Sequence, residues 1–279
     1  MTKIGFLHPG AMGISLAASA QNSGHEVWWI SDGRSTATRK RAEEYHLLDA
    51  GTLTNLTQTC SVIVSICPPD VAVGVAKSVA ALSFQGLYLD ANAIATSTTL
   101  HIQQIIESSG ARFVDGSVIG GPAWEKGNTW LHLSGGYAHE AAKLFNAGPL
   151  ETNIIGEEIG KASALKMAYA AYSKGTTALL TAILAMAENF GVRTELENEW
   201  GKDDADFAEQ AKARAQRVTA KAWRFAGEMD QIAATFAEAG LPSDFHEAAG
   251  EIYRRMAAFK SLEETPDLES VLIKLLSND

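Results

Sequence analysis

The feature that most constrains this chain is a change of texture near residue 160. Over the first 150 residues, short apolar runs alternate with stretches whose apolar residues recur at helical spacing, the pattern of a parallel sheet wrapped by crossover helices. The expected strands are 3–7, 26–30, 62–66, 86–89, 112–115 and 130–134, with helices over 12–23, 39–45, 70–82, 98–109 and 139–146. After Gly160 no run alternates with period two, and Ala, Glu, Lys, Arg and Leu dominate, so the rest is expected to be all helix. Residues 161–190, stopped by Gly191, read as a single helix of ~45 Å joining two domains. Further helices are expected over 204–217, 221–239, 244–258 and 268–275.

Composition narrows the class. With 279 residues and 46% hydrophobic side chains the chain can fill a core. A net charge of -10 and a pI near 5.2 argue against a nucleic-acid partner, which needs clustered cations. Cys60 and Cys67 are the two cysteines, so neither a disulfide framework nor a Cys-rich metal site is expected, and a reducing cytoplasm fits best. The chain enters a strand at Lys3 without a basic-then-apolar leader, and its most apolar helix, 175–187, is too short to span a bilayer. No membrane or nucleic-acid role is expected.

The first strand leads into His8-Pro9-Gly10-Ala11-Met12-Gly13 and then a helix, the context of a dinucleotide fingerprint. Gly10 would let backbone approach a pyrophosphate, Gly13 would let the helix pack close to its strand, and the helix N-terminus would face the anion. His8, Pro9, Gly10, Ala11 and Met12 are therefore cofactor-binding candidates, with His8 in the place of the usual first glycine. Fold class follows as α/β: a Rossmann-type, doubly wound, mostly parallel sheet over 1–158, then an all-α domain over 159–279. Where the second strand ends, an acidic residue would hold the ribose hydroxyl of NAD. Here Ser31 stands at that place and Arg34 follows, a guanidinium suited to the 2'-phosphate of NADP. Asp32 would serve NAD if the register moved by one residue, while Arg39 and Lys40 read equally well as a solvated helix start. The loop favours NADP, with NAD as the other possibility.

At this point the chain resembles the β-hydroxyacid dehydrogenase and 6-phosphogluconate dehydrogenase superfamily, whose members open on a Gly-Phe-Ile-Gly-x-Gly-x-Met-Gly segment similar to residues 5–13. The likeness runs through three more stretches and covers roughly residues 1–190. Val64-Ser65-Ile66-Cys67-Pro68-Pro69 is similar to the strand-then-Pro turn that runs along the cofactor, which implies contacts from Cys67 and Pro68. Asp90-Ala91-Asn92-Ala93-Ile94 resembles the loop that reaches towards nicotinamide, implicating Asn92. Residues 113–122 resemble the substrate loop, implicating Ser117, Ile119, Gly120 and Gly121; Ile119 replaces the serine that the family uses for a carboxylate.

Residues 160–166 resemble the Gly-x-Gly-x-x-x-Lys segment that begins the interdomain helix, which makes Lys166 the catalytic acid/base. The family's asparagine four residues on is Ala170 here. Tyr169, or Ser173 on the same helical face as Lys166, would supply the missing hydrogen bond. Glu228 and His246 are further candidates, although a lone His or Glu on a helix is more often structural.

The resemblance implies an NADP-dependent oxidoreductase acting on a small polar substrate such as a β-hydroxyacid. Imine reduction is an alternative within the same architecture. A non-catalytic NADP-binding sensor is an alternative from another class, motivated by the replaced Ser and Asn. The Ala-rich helical half is too small to bury its own apolar faces, so a homodimer through that half is expected.

Overall fold

In a computed structural model, which describes residues 1–262 and 264–277, eight strands form one sheet in the order β3-β2-β1-β4-β5-β6-β7-β8. They are β1 (Lys3–Phe6), β2 (Glu26–Trp29), β3 (Leu48–Asp49), β4 (Val62–Ser65), β5 (Leu87–Asp90), β6 (Arg112–Gly120), β7 (Thr129–Ser134) and β8 (Glu151–Gly156). Strands β1 to β6 are mutually parallel, β7 is antiparallel to β6, and β8 is parallel to β7. This is the doubly wound sheet that the alternating sequence implies, with its order reversing beside β1.

Helices α1 (Ala11–Asn22), α2 (Thr36–Glu44), α3 (Leu53–Thr59), α4 (Pro69–Ala80), α5 (Thr96–Ser108) and α6 (Ala138–Ala142) cover the sheet. Strand periodicity divides the core between its two faces. Ile4, Phe6, Val62, Val64, Leu87 and Leu89 pack with Ile14, Leu16 and Ala17 of α1. Ile63, Tyr88 and Phe113 pack on the opposite face with Ala72, Ala76, Ile102 and Ile106 of α4 and α5. Local chemistry sets several helix starts. Ser35 Oγ accepts from Thr38 N at 3.3 Å at the start of α2, and α4 opens on Pro69 with Asp70 in its first turn, both favourable at a helix N-terminus.

The structure extends the expected element set. Strand β6 continues through Gly120 instead of ending at residue 115, because antiparallel β7 pairs with it as far as Thr129. Ser117, Ile119 and Gly120 therefore lie in a strand and not in a loop. Strands β3 and β8 and helix α3 are additions. They are short or mostly polar, so no period stands out in their sequence.

The chain forms two compact units, Met1–Met167 and Ala168–Asp279, the boundary lying inside α7 (Lys161–Ala170). The expected single helix over 161–190 is in fact α7, a π turn at Ala171–Gly175, and α8 (Thr176–Asn189). The second unit continues with α9 (Arg193–Asp203), α10 (Phe207–Arg217), α11 (Thr219–Glu238), α12 (Asp244–Arg255) and α13 (Leu268–Leu276). Helix α9 has no buried residue and so carries no apolar period to read. A π turn frees carbonyls from the regular ladder, and side chains of this unit take them up: Arg214 Nη2 donates to Ser173 O at 3.1 Å and Tyr253 Oη to Lys174 O at 2.8 Å. Among the described residues no helix is long and apolar enough to cross a membrane.

Candidate dinucleotide and catalytic site

The β1–α1 turn is built by two glycines with different duties. A Cβ on Gly13 would stand 2.3 Å from His8 O, so only glycine allows α1 to lie this close to the end of β1. A Cβ on Gly10 would meet nothing within 4 Å. Gly10 is the extended N-cap residue of α1, and no side chain caps this helix. Open space before uncapped amides is what a pyrophosphate requires, so the turn of His8, Pro9, Gly10, Ala11 and Met12 fits the group expected there.

Beside this turn lies a cavity of 560 Å³, lined by His8, Ile30, Arg34, Leu53, Val71 and Val75 among others. It has the apolar walls and few polar groups of a small-molecule site. His8 Nδ1 and Arg34 Nε are buried and have no hydrogen-bond partner among the described residues. Burial, helped by the Arg34 cation, pushes the His8 imidazole down to about 4, so it is neutral at pH 7. Burial also lowers the pKa of the Arg34 guanidinium, opposed by Cys67 and Asp32. Ser31 is buried, its carbonyl accepting from Arg39 Nη2 at 2.5 Å. Arg41 Nη1 donates to Pro9 O at 3.2 Å and so fastens α2 to the β1–α1 turn. Sequence reasoning named Arg39 and Lys40 but passed over Arg41, the third cation of the same run.

The turns after β4 and β5 are locked together. Asn92 Oδ1 accepts from Cys67 N at 2.6 Å, Asn92 Nδ2 donates to Ser65 Oγ at 3.2 Å, and Asn92 N donates to Asp90 Oδ1 at 2.9 Å. Both polar atoms of the Asn92 side chain are thus used in holding Cys67 and Pro68 in place. Asp90 is fully buried with Oδ2 unpartnered among the described residues, and burial pushes its carboxyl up to about 7. Burial likewise pushes the Cys67 thiol up to about 12, with Asp90 adding to the effect. That environment opposes thiolate chemistry at neutral pH.

The start of α7 is seated on β6. The Asp115 carboxylate accepts from Gly160 N at 2.9 Å, Ala162 N at 3.0 Å, Ser163 Oγ at 2.7 Å and Ser134 Oγ at 2.9 Å. Burial raises the pKa of Asp115, and these hydrogen bonds oppose it. One helical turn beyond Ser163, Lys166 Nζ donates to Val118 O at 2.6 Å. Lys166 is therefore held against the strand that carries Ser117 and Ile119. Ser117 is fully buried with its Oγ unpartnered among the described residues, while Ile119 is half-buried. Gly120 has φ +121° and a Cβ there would stand 2.1 Å from Asn128 O; the hairpin itself demands glycine. Gly121 is exposed, and its carbonyl accepts from Thr129 Oγ1 at 2.8 Å.

His132, absent from the sequence-derived set, stands opposite Ser117 on β7. Its pKa is lowered by burial and then by the Lys166 cation. The signal was a histidine alternating with Leu131 and Leu133 in a strand, on the face those leucines do not use.

In the second unit, Tyr169 is exposed and Ser173 Oγ donates to Ala170 O at 3.5 Å. Ser173 lies within the π turn. The buried Glu228 pairs with the half-buried Lys174 at 2.7 Å and with Arg224 at 3.4 Å. His246 packs between Phe236 and Phe245 with its pKa lowered by burial. Both have structural employment.

Comparison with known proteins gives the same outline. A conserved hypothetical protein from Sinorhizobium meliloti is 25% identical, with a TM-score of 0.71 over 99% of this chain and 96% of that one. Mycobacterium tuberculosis 3-hydroxyisobutyrate dehydrogenase shares the fold at 17% identity and a TM-score of 0.72, covering 99% of this chain and 100% of that one. An imine reductase from Myxococcus stipitatus in complex with NADP+ shares it at 16% identity and a TM-score of 0.58, covering 99% and 100%. Residues 187–256 match a domain of unknown function (DUF1932). Residues 3–146, the greater part of the first unit, match the NAD binding domain of 6-phosphogluconate dehydrogenase, and the chain belongs to that family.

Proposed function

We propose that this protein is an NADP-dependent oxidoreductase acting on a small polar substrate, with a β-hydroxyacid as the leading class. The observation that carries the reading is Lys166 Nζ fixed 2.6 Å from Val118 O, on a strand that runs past the C-terminal edge of a sheet whose first turn fits a pyrophosphate. Ligands of such sheets lie beyond that edge. NADP, when bound, supplies the hydride acceptor, and its reduced form the donor. The chain's own part is to hold and to move a proton. The β1–α1 turn and Arg34 position the phosphates, Asn92 fixes the Cys67–Pro68 turn alongside, and Lys166 Nζ takes or gives the proton of the substrate hydroxyl. Ser31 and Arg34, with Arg39 and Arg41 near, favour the 2'-phosphate over a bare ribose.

A second reading, imine reduction, draws support from Ala170, a buried methyl where the family pattern has asparagine. The dimer expected of the helical half is supported by Leu179, Met186 and Phe190, large apolar side chains exposed along α8 and just after it. Two free cysteines, both with thiols pushed up by burial, suit a reducing cytoplasm.

The test is calorimetric titration with NADP and NAD, followed by a panel of 3-hydroxyisobutyrate, L-serine and cyclic imines read by reduced-cofactor absorbance. NADP binding and turnover that Lys166→Ala abolishes without loss of NADP affinity support the reading. Binding without any turnover favours a sensor, and no binding of either nucleotide at millimolar concentration removes redox chemistry altogether.

A further inference from the structure

Strands β5 and β6 pair up to Asp90, the last residue of β5, and its partner Asp115 of β6. Residues 116–120 and their β7 partners therefore stand beyond the C-terminal edge of the parallel strands, on the ligand side of such a sheet. There the register sets Ser117 opposite His132, and His132 beside Asn153 of β8. Directly paired residues share a face, so these three form a polar row across three strands. The alternate positions Val118, Leu131 and Leu133 belong to the core of the other face.

The row is organised. Asn153 Nδ2 lies 3.3 Å from His132 Nδ1; with the amide donating, Nδ1 accepts and the ring proton resides on Nε2. Burial and then the Lys166 cation hold the imidazole below its ordinary value, so it presents a neutral donor at pH 7. Ser117 Oγ is fully buried and has no partner among the described residues. Lys166 Nζ lies on the same hairpin at Val118 O. Glu151, at the start of β8, accepts from Gly127 N at 3.0 Å and is thereby drawn to the hairpin loop. Donors and one positive charge thus gather at one place, and an acceptor oxygen suits them.

We propose that His132 is a substrate-contacting residue, whose Nε2–H, above the buried Ser117, holds an acceptor oxygen of the substrate, a carboxylate oxygen in a hydroxyacid, beside the hydroxyl that Lys166 Nζ serves. The row does the work of the side chains that Ile119 and Ala170 do not provide. The assignment rests on the hydride-transfer reading above. It is tested on the full-length chain with NADP bound, using 3-hydroxyisobutyrate as the probe.

His132→Leu is expected to raise KM about tenfold or more, with kcat within about threefold and NADP affinity unchanged. His132→Gln, which keeps an N–H donor, is expected to recover most of that loss. An unchanged KM in both variants overturns the assignment and leaves the hydride-transfer reading standing. A chain that binds no nucleotide sinks that reading instead, and a second measurement then decides for His132. In 15N-histidine-labelled wild type, the probe is expected to move the Nε2 resonance assigned to His132, and a resonance that stays in place overturns the assignment.

Discussion

The Asp115 carboxylate accepts a 2.7 Å hydrogen bond from Ser163 Oγ while also receiving the Gly160 and Ala162 amides at the start of α7. One buried acid thus ties the helix that carries Lys166 to the strand that Lys166 touches. Asp115→Ala leaves those amides and two hydroxyls without their acceptor at a buried helix start, an expected loss of about 2–4 kcal/mol. Asp115→Asn keeps one oxygen and is expected to lose less. Urea denaturation checks the order. In whichever variant stays folded, turnover should fall further than NADP affinity, because the helix and not the phosphate cradle has been loosened.

Two buried groups near the nucleotide turns give opposing pH dependences. His8 is held down to about 4 in the fold, against about 6.5 unfolded. Its contribution to stability is present above the unfolded value and is lost as pH falls from about 6.5 to about 4. Asp90 is held up to about 7, against about 3.9 unfolded. Its contribution is present below the unfolded value and is lost as pH rises through about 7. Across pH 4–6.5 the two slopes partly cancel. Asp90→Asn should therefore gain stability relative to wild type as pH rises from 4 to 7, by at most about 4 kcal/mol. His8→Gln should show the reverse trend against wild type, losing its relative advantage between pH 4 and 6.5. Parallel slopes for both variants and the wild type in urea denaturation series would refute this account.

On the proposed reading, Arg34 governs cofactor choice. A guanidinium that meets a 2'-phosphate makes a charge-assisted contact, so Arg34→Ala is expected to weaken NADP binding by roughly tenfold to a hundredfold, about 1.4–2.8 kcal/mol. NAD affinity should change by less than about threefold. Calorimetry with both nucleotides measures each, and an equal loss for the two would show that Arg34 reads the adenosine and not its phosphate.

What could be read from the sequence follows from which forces leave a period in it. Buried strands such as β1, β4 and β5 are continuous apolar runs, and their positions were legible to within a residue or two. Helix α9, with nothing buried, and β8, half-buried at an edge, leave no such trace. The glycine turn was legible because close approach admits a single residue type at Gly13. The partners of Asp115 were not, since the bonds join residues 19 to 48 positions apart. His132 was missed for the same reason: only the pairing of β6 with β7 brings it to Ser117. The π turn at Ala171–Gly175 has no sequence mark.

If the proposed cofactor lies over this turn, Gly10 and Gly13 separate folding from its binding. A methyl on Gly13 meets His8 O at 2.3 Å and Ile66 Cγ2 at 3.0 Å, contacts that backbone and a half-buried core side chain cannot easily yield. Gly13→Ala should cost about 1–3 kcal/mol, the usual range for overpacking, and lower the unfolding midpoint without ligand. A methyl on Gly10 meets nothing and the residue has φ -69°, so Gly10→Ala should leave the ligand-free stability within about 0.5 kcal/mol of wild type. Its methyl instead occupies the space before the first amides of α1, where the pyrophosphate has to come close. NADP affinity should fall by roughly tenfold or more, about 1.4 kcal/mol, in a protein as stable as the wild type. Calorimetry on folded Gly10→Ala decides the matter, since unchanged NADP affinity there would mean that the nucleotide does not lie over this turn.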